Sequence, residues 1–327
     1  MKEPTVRNVA VSESVFKKAP EIFSDAGKSG LRCFCAPAPE KELSEFVREN
    51  KISHVIVGTA KYCGLLYDVL PAGGVIARFG VGYDNIDRVR AAGCGQYCTN
   101  TPDCLEGTVA EHALCLILAA ARRITGQDRA LHAGQWTPLT GSSLSGKTLV
   151  IVGCGRIGRR VAIAASCGLA MRVVGVAPRH SGNPKLPDGE VFCRIVRDFS
   201  EVAGDADFVS LHLPAKPELA RYFNAARFAL MKRGVVLINT ARGMLIDESA
   251  MYDALVSGHI ASAALDVFEN EPYRPVHPDK DLRNLENVIM TPHIGSNTFE
   301  TNIAMAKRAL RNIAAAEAGD FSAMDRV

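Results

Sequence analysis

Residues 148–168, TLVIVGCGRIGRRVAIAASCG, decide the fold of this chain. A β-branched run leads into GxGxxG and an amphipathic helical pattern follows, which is the strand, turn and helix order of a dinucleotide-binding unit. Gly153 allows the tight turn, Gly155 lets a pyrophosphate approach the backbone, and Gly158 lets the helix pack close to the strand. The stretch therefore predicts a dinucleotide site rather than a glycine-rich turn without a ligand.

A second phosphate motif lies just upstream and is a coincidence. Residues 141–148, GSSLSGKT, match the pattern GxxxxGK[ST]. A P-loop follows a strand and opens a helix, so that backbone N–H groups cradle phosphate. Here the motif runs directly into the apolar run LVIVG, and we do not expect nucleoside triphosphate binding.

Short β-branched runs alternate with helical stretches along the chain. The early runs are VRNVAV, LRCFC, HVIV and VIARF, and the later ones are TLVIVG, RVVGV, DFVSLHL, VVLINT, ASAALDV and NVIMT. This alternation predicts an α/β protein with two doubly wound, parallel-sheet units. Long helices are predicted at 108–124 and, closed by Gly319, near the C-terminus. Because no strand follows the last helix, we expect it to pack on the first unit.

Composition excludes several classes of function. The chain has 327 residues, 47% of them hydrophobic and 22% charged, with a net charge of +3, which is ordinary for a two-domain globular protein. No basic block suggests nucleic acid or a membrane surface, and the longest apolar run, ALCLILAAA, is shorter than the ~20 residues of a membrane helix. The N-terminus has no signal-peptide core, so we expect a cytoplasmic protein. The ten cysteines lack zinc-type CxxC pairs, and we expect free thiols and no metal.

The strand after the glycine turn is not followed by the acid that binds the ribose 2′-hydroxyl of NAD. After RVVGV the chain reads Ala177, Pro178, Arg179 and His180. The missing carboxylate removes repulsion of a 2′-phosphate, and Arg179 can pair with that group, so the sequence favours NADP(H) over NAD(H). The alternative is that Arg179 is a solvated loop residue.

Three polar residues follow strands at one edge of the second sheet. Arg242 follows VVLIN, Glu271 follows ASAALDV, and His293 follows NVIM, at the carboxyl ends where an open α/β sheet binds its ligand. An Arg there can hold a carboxylate with its planar fork, and a Glu beside a His favours the imidazolium that a general acid needs. Each residue also has a structural interpretation, as an ion-pair partner, a helix-start acid and a loop cap. Together, beside a dinucleotide turn, they predict hydride chemistry.

The motifs around these residues resemble the D-isomer-specific 2-hydroxyacid dehydrogenases, which include glyoxylate/hydroxypyruvate reductases and phosphoglycerate dehydrogenase-like proteins. The chain carries, in the family's order, ARFGVGYDNID, NTPDCLEGTVAEHAL, LSGKTLVIVGCGRIG, LINTARGMLIDESAMYDAL, AALDVFENEP and TPHIGS. The resemblance implies that Arg242 binds the substrate carboxylate and carbonyl, that Glu271 pairs with His293, and that His293 is the general acid or base. It further implies a homodimer that reversibly reduces a small anionic 2-oxo acid with NAD(P)H.

The resemblance also implies a domain organisation and further binding residues. Residues 1–103 and 296–327 would form a flavodoxin-like substrate domain, and residues 104–295 would form a Rossmann cofactor domain inserted in it. The substrate would also contact Ala60, Lys61, Val81 and Gly82. The remaining cofactor contacts implied by the family are Thr108, Arg156, Ile157, Pro178, His212, Leu213, Pro214, Thr240, Ala241, Asp266 and Gly295.

Departures from the family pattern leave several points open. Many relatives have Asp at the position of Ala177 and Thr at that of Lys216, so the cofactor preference stays open. Formate-oxidising relatives carry Gln in place of Glu271, so we do not expect that reaction. Regulated relatives carry an added domain, and because this sequence stops at Val327 we expect no such control. Arg78 is either a cation near the substrate or a strand-end residue, and Trp136 either contacts substrate across a dimer or packs at its interface. The alternative function is a dinucleotide-sensing protein, like the transcriptional corepressors that resemble this family.

Overall fold

The computed structural model describes residues 6–177 and 191–327. They form two compact units, one from the residues up to Leu105 together with Asn297–Val327, the other from Glu106–Ser296. The second unit is therefore inserted into the first along the chain. Each unit contains one sheet in which all strand pairs are parallel.

The first unit contains a five-stranded sheet. Its strands are β1 (Arg7–Ser12), β2 (Leu31–Ala36), β3 (His54–Val57), β4 (Val75–Arg78) and β5 (Tyr97–Thr99). Its helices are α1 (Glu13–Phe16), α2 (Pro20–Ser24), α3 (Glu40–Glu49), α4 (Leu66–Val69), α5 (Arg88–Gly93) and, from the C-terminal part, α11 (Phe299–Glu317). The strand order β2-β1-β3-β4-β5 is that of flavodoxin-like sheets.

The C-terminal helix completes the first unit. Every residue of β3 and β4 is buried, because a parallel sheet is covered on both faces and its strands are therefore continuous apolar runs. Helix α11 packs against β4, and its Glu317 carboxylate meets the ring of His54 (Oε1 to Nε2, 2.8 Å). Helix α11 thus belongs to the first unit although it lies at the other end of the chain. Gly319, with φ +72°, follows the helix as its sequence signal predicts.

The second unit contains a seven-stranded sheet. Its strands are β6 (Thr148–Val152), β7 (Arg172–Val176), β8 (Arg194–Val196), β9 (Phe208–Leu211), β10 (Val235–Asn239), β11 (Ile260–Leu265) and β12 (Val288–Met290). Its helices are α6 (Glu106–Arg122), α7 (Ile124–His132), α8 (Arg156–Leu169), α9 (Ala225–Leu230) and α10 (Glu248–Val256). Short 3₁₀ helices in the two units lie at Asp25–Ser29, Phe199–Glu201, Ala203–Asp205, Pro217–Leu219, Gly243–Leu245 and Leu282–Asn284.

The order of the second sheet, β12-β11-β10-β9-β6-β7-β8, is the Rossmann order extended by one strand. The direction of strand succession reverses between β6 and β9, so a ligand crevice is expected at the carboxyl ends of these two strands. The predicted fold class, with two doubly wound α/β units, is confirmed.

Some local predictions differ from the structure. Strands β5 (YCT) and β8 (RIV) were not predicted, because each has only three residues and one of them is polar, whereas the equally short β12 (VIM) is apolar throughout. The helix predicted at 108–124 is α6, which ends at Arg122 because Arg123 takes the left-handed conformation (φ +54°) before α7 begins. GSSLSGKT runs into β6 rather than opening a helix. Across residues 6–177 and 191–327, no helix is long and apolar enough to cross a membrane.

Candidate active site

The glycine turn joins β6 to the first turn of α8. Gly153 has φ +104°, and a Cβ added there would lie 2.6 Å from the carbonyl oxygen of His212 at the end of β9. A Cβ on Gly158 would lie 2.2 Å from the carbonyl oxygen of Gly153. Gly155, which directly precedes α8, has no neighbouring atom within 4 Å of its Cβ position. The turn is therefore tight on the protein side and open where backbone N–H groups of the helix start can receive phosphate.

The strand next to this turn ends in a small buried residue. The Gly153 amide donates to the carbonyl of Val176 at 3.0 Å, and the Ala177 amide donates to the carbonyl of Val196, the last residue of β8, at 2.9 Å. Ala177 is buried and has no polar side-chain atom with which to bind a ribose hydroxyl. The other two candidates at this strand end, Pro178 and Arg179, lie outside the described residues.

The remaining candidate cofactor residues occupy the carboxyl ends of the other strands and the first turns of two helices. They are Thr108, Arg156, Ile157, His212, Leu213, Pro214, Thr240, Ala241, Asp266 and Gly295. Arg156 pairs with the buried Glu106 at 3.6 Å. The hydroxyl of the buried Thr240 has no hydrogen-bond partner among the described residues. Buried polar groups normally have partners, so a ligand that supplies one fits this position.

His212 is held in its neutral form beside the glycine turn. Its ring Nε2 lies 2.9 Å from the Ser210 hydroxyl. Burial lowers the pKa of His212 to about 4, because a charged ring loses hydration in a protein interior. A neutral ring at this position contributes a hydrogen-bonding surface rather than a positive charge.

Glu271 and His293 form the central pair of the site. The Glu271 Oε2 atom lies 2.7 Å from Nδ1 of His293, and the two side chains are 32% and 30% exposed. The other Glu271 oxygen accepts a hydrogen bond from the Phe268 N–H at 3.1 Å. With an ionised Glu271, Nδ1 carries a proton and the ring is oriented. Among the described residues, Nε2 of His293 has no hydrogen-bond partner, which leaves it for another group.

Asp266 fixes the segment that carries His293. His293 lies in the left-handed region (φ +53°), which is unfavourable for a residue other than glycine. Asp266 is 1% exposed, and its carboxylate accepts from the Thr291 hydroxyl at 2.6 Å and from the Ile294 and Gly295 amides at 2.8 Å each. Its carbonyl accepts from the His293 N–H at 2.9 Å. The strained turn is therefore set by one buried residue.

These contacts keep the Asp266 carboxylate charged. Burial raises its pKa, but hydrogen bonds from His112, Thr291 and the two amides outweigh that effect and hold the pKa below its usual value. The His112 Nε2 atom lies 3.4 Å from Asp266 Oδ1 and 3.2 Å from the Thr291 hydroxyl.

Arg242 lies on the turn after β10, which packs directly on the segment before Glu271. The buried Asn239 holds this turn, because its side-chain amide donates to the Arg242 carbonyl at 2.9 Å and its side-chain oxygen accepts from the Ala241 amide at 3.0 Å. A Cβ on Gly243 would lie 1.9 Å from the carbonyl carbon of Phe268. Only glycine therefore allows the Arg242 turn and the Glu271 segment to pack this closely.

The candidate substrate residues of the first unit lie on two loops that one asparagine connects. The Asn85 side-chain amide donates to the carbonyls of Gly58 and Ala60 at 2.8 and 2.7 Å, and its oxygen accepts from Arg78 Nε at 3.2 Å. Arg78 is buried and also donates to the Phe79 carbonyl, which agrees with its interpretation as a strand-end residue. Lys61 lies on the first of these loops.

The second loop carries Val81 and Gly82. The Val81 carbonyl accepts from the Asn100 side-chain amide at 2.8 Å. Each loop is thus held by an amide side chain, the first by the half-buried Asn85 and the second by the buried Asn100.

Sequence reasoning did not identify three polar residues near these positions. Glu248 is buried against the segment before Glu271, and its partner in that segment is 21 residues away along the chain. Arg197 is exposed directly after β8, beside Ala177, and was missed because β8 itself was not predicted. Asn85 lies within the motif ARFGVGYDNID but was not singled out, because its side chain has no role of its own in the expected chemistry.

The geometry allows one kind of chemistry in particular. A dinucleotide turn at the switch point of a Rossmann sheet, with a Glu–His pair on the same edge, is the arrangement of a dinucleotide-dependent oxidoreductase, in which the nucleotide transfers hydride and a side chain handles the proton.

Comparison with known proteins identifies the family. The D-isomer specific 2-hydroxyacid dehydrogenase, NAD binding domain, matches residues 114–295. The chain is 40% identical over 256 residues to a glyoxylate reductase of Pyrococcus furiosus, covering 76% of this chain and 74% of that protein. It is 36% identical to a glyoxylate reductase of Aeropyrum pernix, with coverage of 96% and 93%.

Solved structures agree with the sequence relatives. The NADPH-dependent glyoxylate/hydroxypyruvate reductase of Sinorhizobium meliloti, in complex with NADP and malonate, is 29% identical with a TM-score of 0.79 over 95% of this chain and 93% of that one. A glyoxylate reductase from Paecilomyes thermophila is 31% identical with a TM-score of 0.79 over 98% of both chains. The chain belongs to the D-isomer specific 2-hydroxyacid dehydrogenase family, as its motifs predicted, and it is an enzyme of that class.

Proposed function

We propose that this enzyme reduces a small 2-oxo acid to the D-2-hydroxy acid, with His293 as the proton donor. The observation that carries the proposal is the 2.7 Å contact between Glu271 and His293 Nδ1, on the sheet edge that also bears the glycine turn. The relatives named glyoxylate reductase support a small anionic substrate. Glyoxylate and hydroxypyruvate are therefore the first acids to test.

Each residue of the pair, together with Arg242, has a distinct role in the proposed reaction. The bound nicotinamide supplies hydride to the carbonyl carbon. The Arg242 guanidinium holds the substrate carboxylate and polarises the carbonyl. The Nε2 proton of a protonated His293 passes to the carbonyl oxygen, and Glu271 orients the ring through Nδ1 and stabilises the imidazolium. In the oxidative direction the same nitrogen accepts the proton.

The described residues fit a dinucleotide. Gly153, Gly155 and Gly158 would receive the pyrophosphate with Arg156 and Ile157 at the start of α8, and the unpartnered Thr240 hydroxyl offers a further hydrogen bond. We assign the same ligand to the other carboxyl-edge residues, namely Thr108, His212, Leu213, Pro214, Ala241, Asp266 and Gly295. The second unit would thus bind cofactor, and Ala60, Lys61, Val81 and Gly82 of the first unit would bind substrate.

We propose NADP(H) as the preferred cofactor. Ala177 presents no carboxylate to repel a 2′-phosphate. The exposed Arg197 follows β8, whose last residue pairs with the end of β7, and it adds a cation to this edge. The S. meliloti relative was solved with NADP.

We also propose that two copies of the chain associate through α7 and the residues after it. Helix α7 has no buried residue, and residues 131–143 are all exposed. Helix α7 and the residues after it include the exposed apolar side chains of Ile124, Leu131 and Trp136, and Trp136 is 87% exposed. Exposed apolar groups at this density mark an interaction surface. Sedimentation should show a dimer, and Leu131→Asp should weaken it; a monomer at all concentrations would contradict the proposal.

The test of the proposed function is steady-state turnover with the matched variants His293→Ala and His277→Ala. His277 is an exposed histidine. The oxidation of NADPH and NADH is measured against glyoxylate, hydroxypyruvate and pyruvate, and cofactor binding is titrated separately. We expect His293→Ala to lower kcat about 100-fold or more, the usual contribution of a general acid, with cofactor binding retained, and His277→Ala to match the wild type.

Two outcomes would contradict the proposal. Wild-type turnover by His293→Ala would remove the proton-donor assignment. Tight cofactor binding by the wild type without turnover of any of the acids would favour a dinucleotide-sensing protein on the same fold.

A further inference from the structure

Glu248 is a buried carboxyl group outside the roles proposed above. It is the first residue of α10 and is only 4% exposed. Its Oε1 atom accepts a hydrogen bond from the Glu269 N–H at 2.5 Å, and the Glu248 N–H donates to Oε1 of Glu269 at 3.1 Å. Two residues 21 positions apart in the chain are therefore joined by reciprocal hydrogen bonds between backbone and carboxyl group.

The start of α10 does not need this carboxyl group. Asp247 is the N-cap residue, and its side chain accepts from the Ala250 amide at 3.0 Å. An N-cap of this kind already satisfies the helix start. The Glu248 side chain is therefore directed to the neighbouring segment rather than to its own helix.

The segment that Glu248 holds leads directly to the proton-transfer pair. Glu269 lies two residues before Glu271. The N–H of Phe268, the residue before Glu269, donates to Oε1 of Glu271 at 3.1 Å. The other oxygen of Glu271 meets His293 Nδ1 at 2.7 Å. A displacement of the Glu269 amide would therefore move the carboxylate that orients the histidine.

The charges around Glu248 are mostly negative. Burial raises the pKa of Glu248 to about 7, and the charges of Glu269 and Glu271 add to this effect against the hydrogen bond from the Glu269 amide. The Arg221 guanidinium pairs with Glu269 at 3.3 Å. Burial, together with the negative charges of Asp281 and Glu248, raises the pKa of Tyr273. The Oε2 atom of Glu248 has no hydrogen-bond partner within the described ranges. A protonated carboxyl group suits this environment up to neutral pH.

We propose that Glu248 is a positioning residue that, by holding the Glu269 amide, keeps Glu271 against His293. The inference rests on the proposed function, because it takes Glu271 and His293 as the proton-transfer pair. Both protonation states of Glu248 can accept a hydrogen bond from the amide, so this role does not depend on the charge of Glu248.

The test uses three variants measured beside the wild type. Glu248→Ala removes the hydrogen bond, and Glu248→Gln keeps an acceptor for the Glu269 amide but cannot ionise. Asp253→Asn is the control, because it neutralises a largely exposed carboxylate on the same helix. For each protein, kcat and KM for glyoxylate, the cofactor Kd and the melting temperature are measured. The ring signals of His293 are followed at one pH by NMR of histidine-labelled protein.

We expect a split between the two Glu248 variants. Glu248→Ala should lower kcat at least about tenfold with the cofactor Kd unchanged within about threefold, since the orientation of the proton donor is lost. Glu248→Gln should restore kcat to within about threefold of the wild type. The ring signals of His293 should be displaced in Glu248→Ala and stay at their wild-type positions in Glu248→Gln, because only the alanine variant releases the Glu269 amide. Asp253→Asn should match the wild type in every measurement.

Two results would overturn the inference. One is a Glu248→Ala protein with wild-type kcat, whatever its melting temperature. The other is a Glu248→Gln protein whose His293 ring signals are displaced from their wild-type positions, a result that remains decisive if Glu248→Ala does not fold or if the wild type shows no turnover. His293→Ala separates the two proposals: full activity of that variant contradicts the proposed function, whereas an inactive His293→Ala beside a fully active Glu248→Ala contradicts only the role of Glu248.

Discussion

The two halves of the seven-stranded sheet carry opposite kinds of side chain at the carboxyl ends of their strands. Around β6 and β7 the side chains are small or absent. Gly153 and Gly158 have no room for a Cβ, and Ala177, directly after β7, has no polar group. Around β11 and β12 the chain adds buried polar side chains, so that Asp266 alone accepts three hydrogen bonds from the turn that carries His293.

The difference follows from what each half has to hold. Phosphates are bound by backbone N–H groups, which any residue supplies, and the requirement is close approach of the ligand. Proton transfer needs one nitrogen at one place and one orientation, which backbone alone does not provide. The first half should therefore be sensitive to added volume, and the second to lost hydrogen bonds.

The largest effect is expected from added volume at the glycine turn. In Gly158→Ala the new Cβ would meet the Gly153 carbonyl oxygen at 2.2 Å, which the backbone can relieve only by moving. We expect a loss of about 3 kcal/mol in the free energy of unfolding and cofactor binding weaker by about 100-fold. Gly168→Ala in the same helix is the control: its Cβ position is open, and alanine there should stabilise by about 0.5 kcal/mol. Equal effects of the two substitutions on denaturant unfolding would refute the comparison.

The next effect is expected from a lost acceptor in the other half. Asp266→Asn replaces one of the carboxylate oxygens that receive the Thr291, Ile294 and Gly295 donors by an NH₂ group. We expect a loss of about 2 kcal/mol, as for an unsatisfied buried donor, and a kcat lower by about tenfold or more with little change in KM. Asp205→Asn, at an exposed site, is the control. A kcat unchanged by Asp266→Asn would show that the turn carrying His293 keeps its conformation without the Asp266 carboxylate.

A smaller effect concerns acid stability and belongs to the cofactor half. The pKa of His212 in the folded protein is about 4, below its ordinary value of 6.5. The unfolded chain therefore binds the proton first, so the contribution of this group to stability is complete above pH 6.5 and is lost as the pH falls towards 4. Because the ring is partly exposed, we expect the free energy of unfolding to fall by about 2 kcal/mol over this range. His212→Gln, which can still contact Ser210, should flatten the stability profile between these limits; parallel profiles in urea would contradict the assignment.

The smallest effect is expected at Ala177, where the cofactor half of the sheet has no polar side chain. Ala177→Asp supplies a carboxylate that can accept from a ribose hydroxyl and repel a 2′-phosphate. The ratio of kcat/KM for NADH to that for NADPH should rise about tenfold, or about 1.4 kcal/mol. Arg197→Gln should weaken the binding of NADPH and leave that of NADH unchanged. Arg194→Gln, at the other end of β8 where Asp205 pairs with it, should change the binding of neither cofactor. An unchanged ratio would mean that other residues set the preference.

Much of this architecture could be predicted from sequence because burial leaves a periodic trace. Ten strands were predicted from β-branched runs, and GxGxxG between a strand and a helix predicted the turn with its close contacts at Gly153 and Gly158. Arg242, Glu271 and His293 were singled out because each follows a strand end. The pairing of Glu271 with His293 came from family motifs, and the structure places the two atoms 2.7 Å apart.

The sequence by itself determined the alternation of elements, the glycine turn and the family, since these depend on residues that are neighbours along the chain. The tertiary structure alone decided which distant partner each buried polar group found. From the sequence Glu248 is an acid at a helix start, and only the fold places the Glu269 amide against it. The hydrogen bond from the Gly295 amide to Asp266 likewise depends on the fold. A hydrogen bond depends on position within a few tenths of an ångström, and residues more than 20 positions apart reach that proximity only when the whole sheet is assembled.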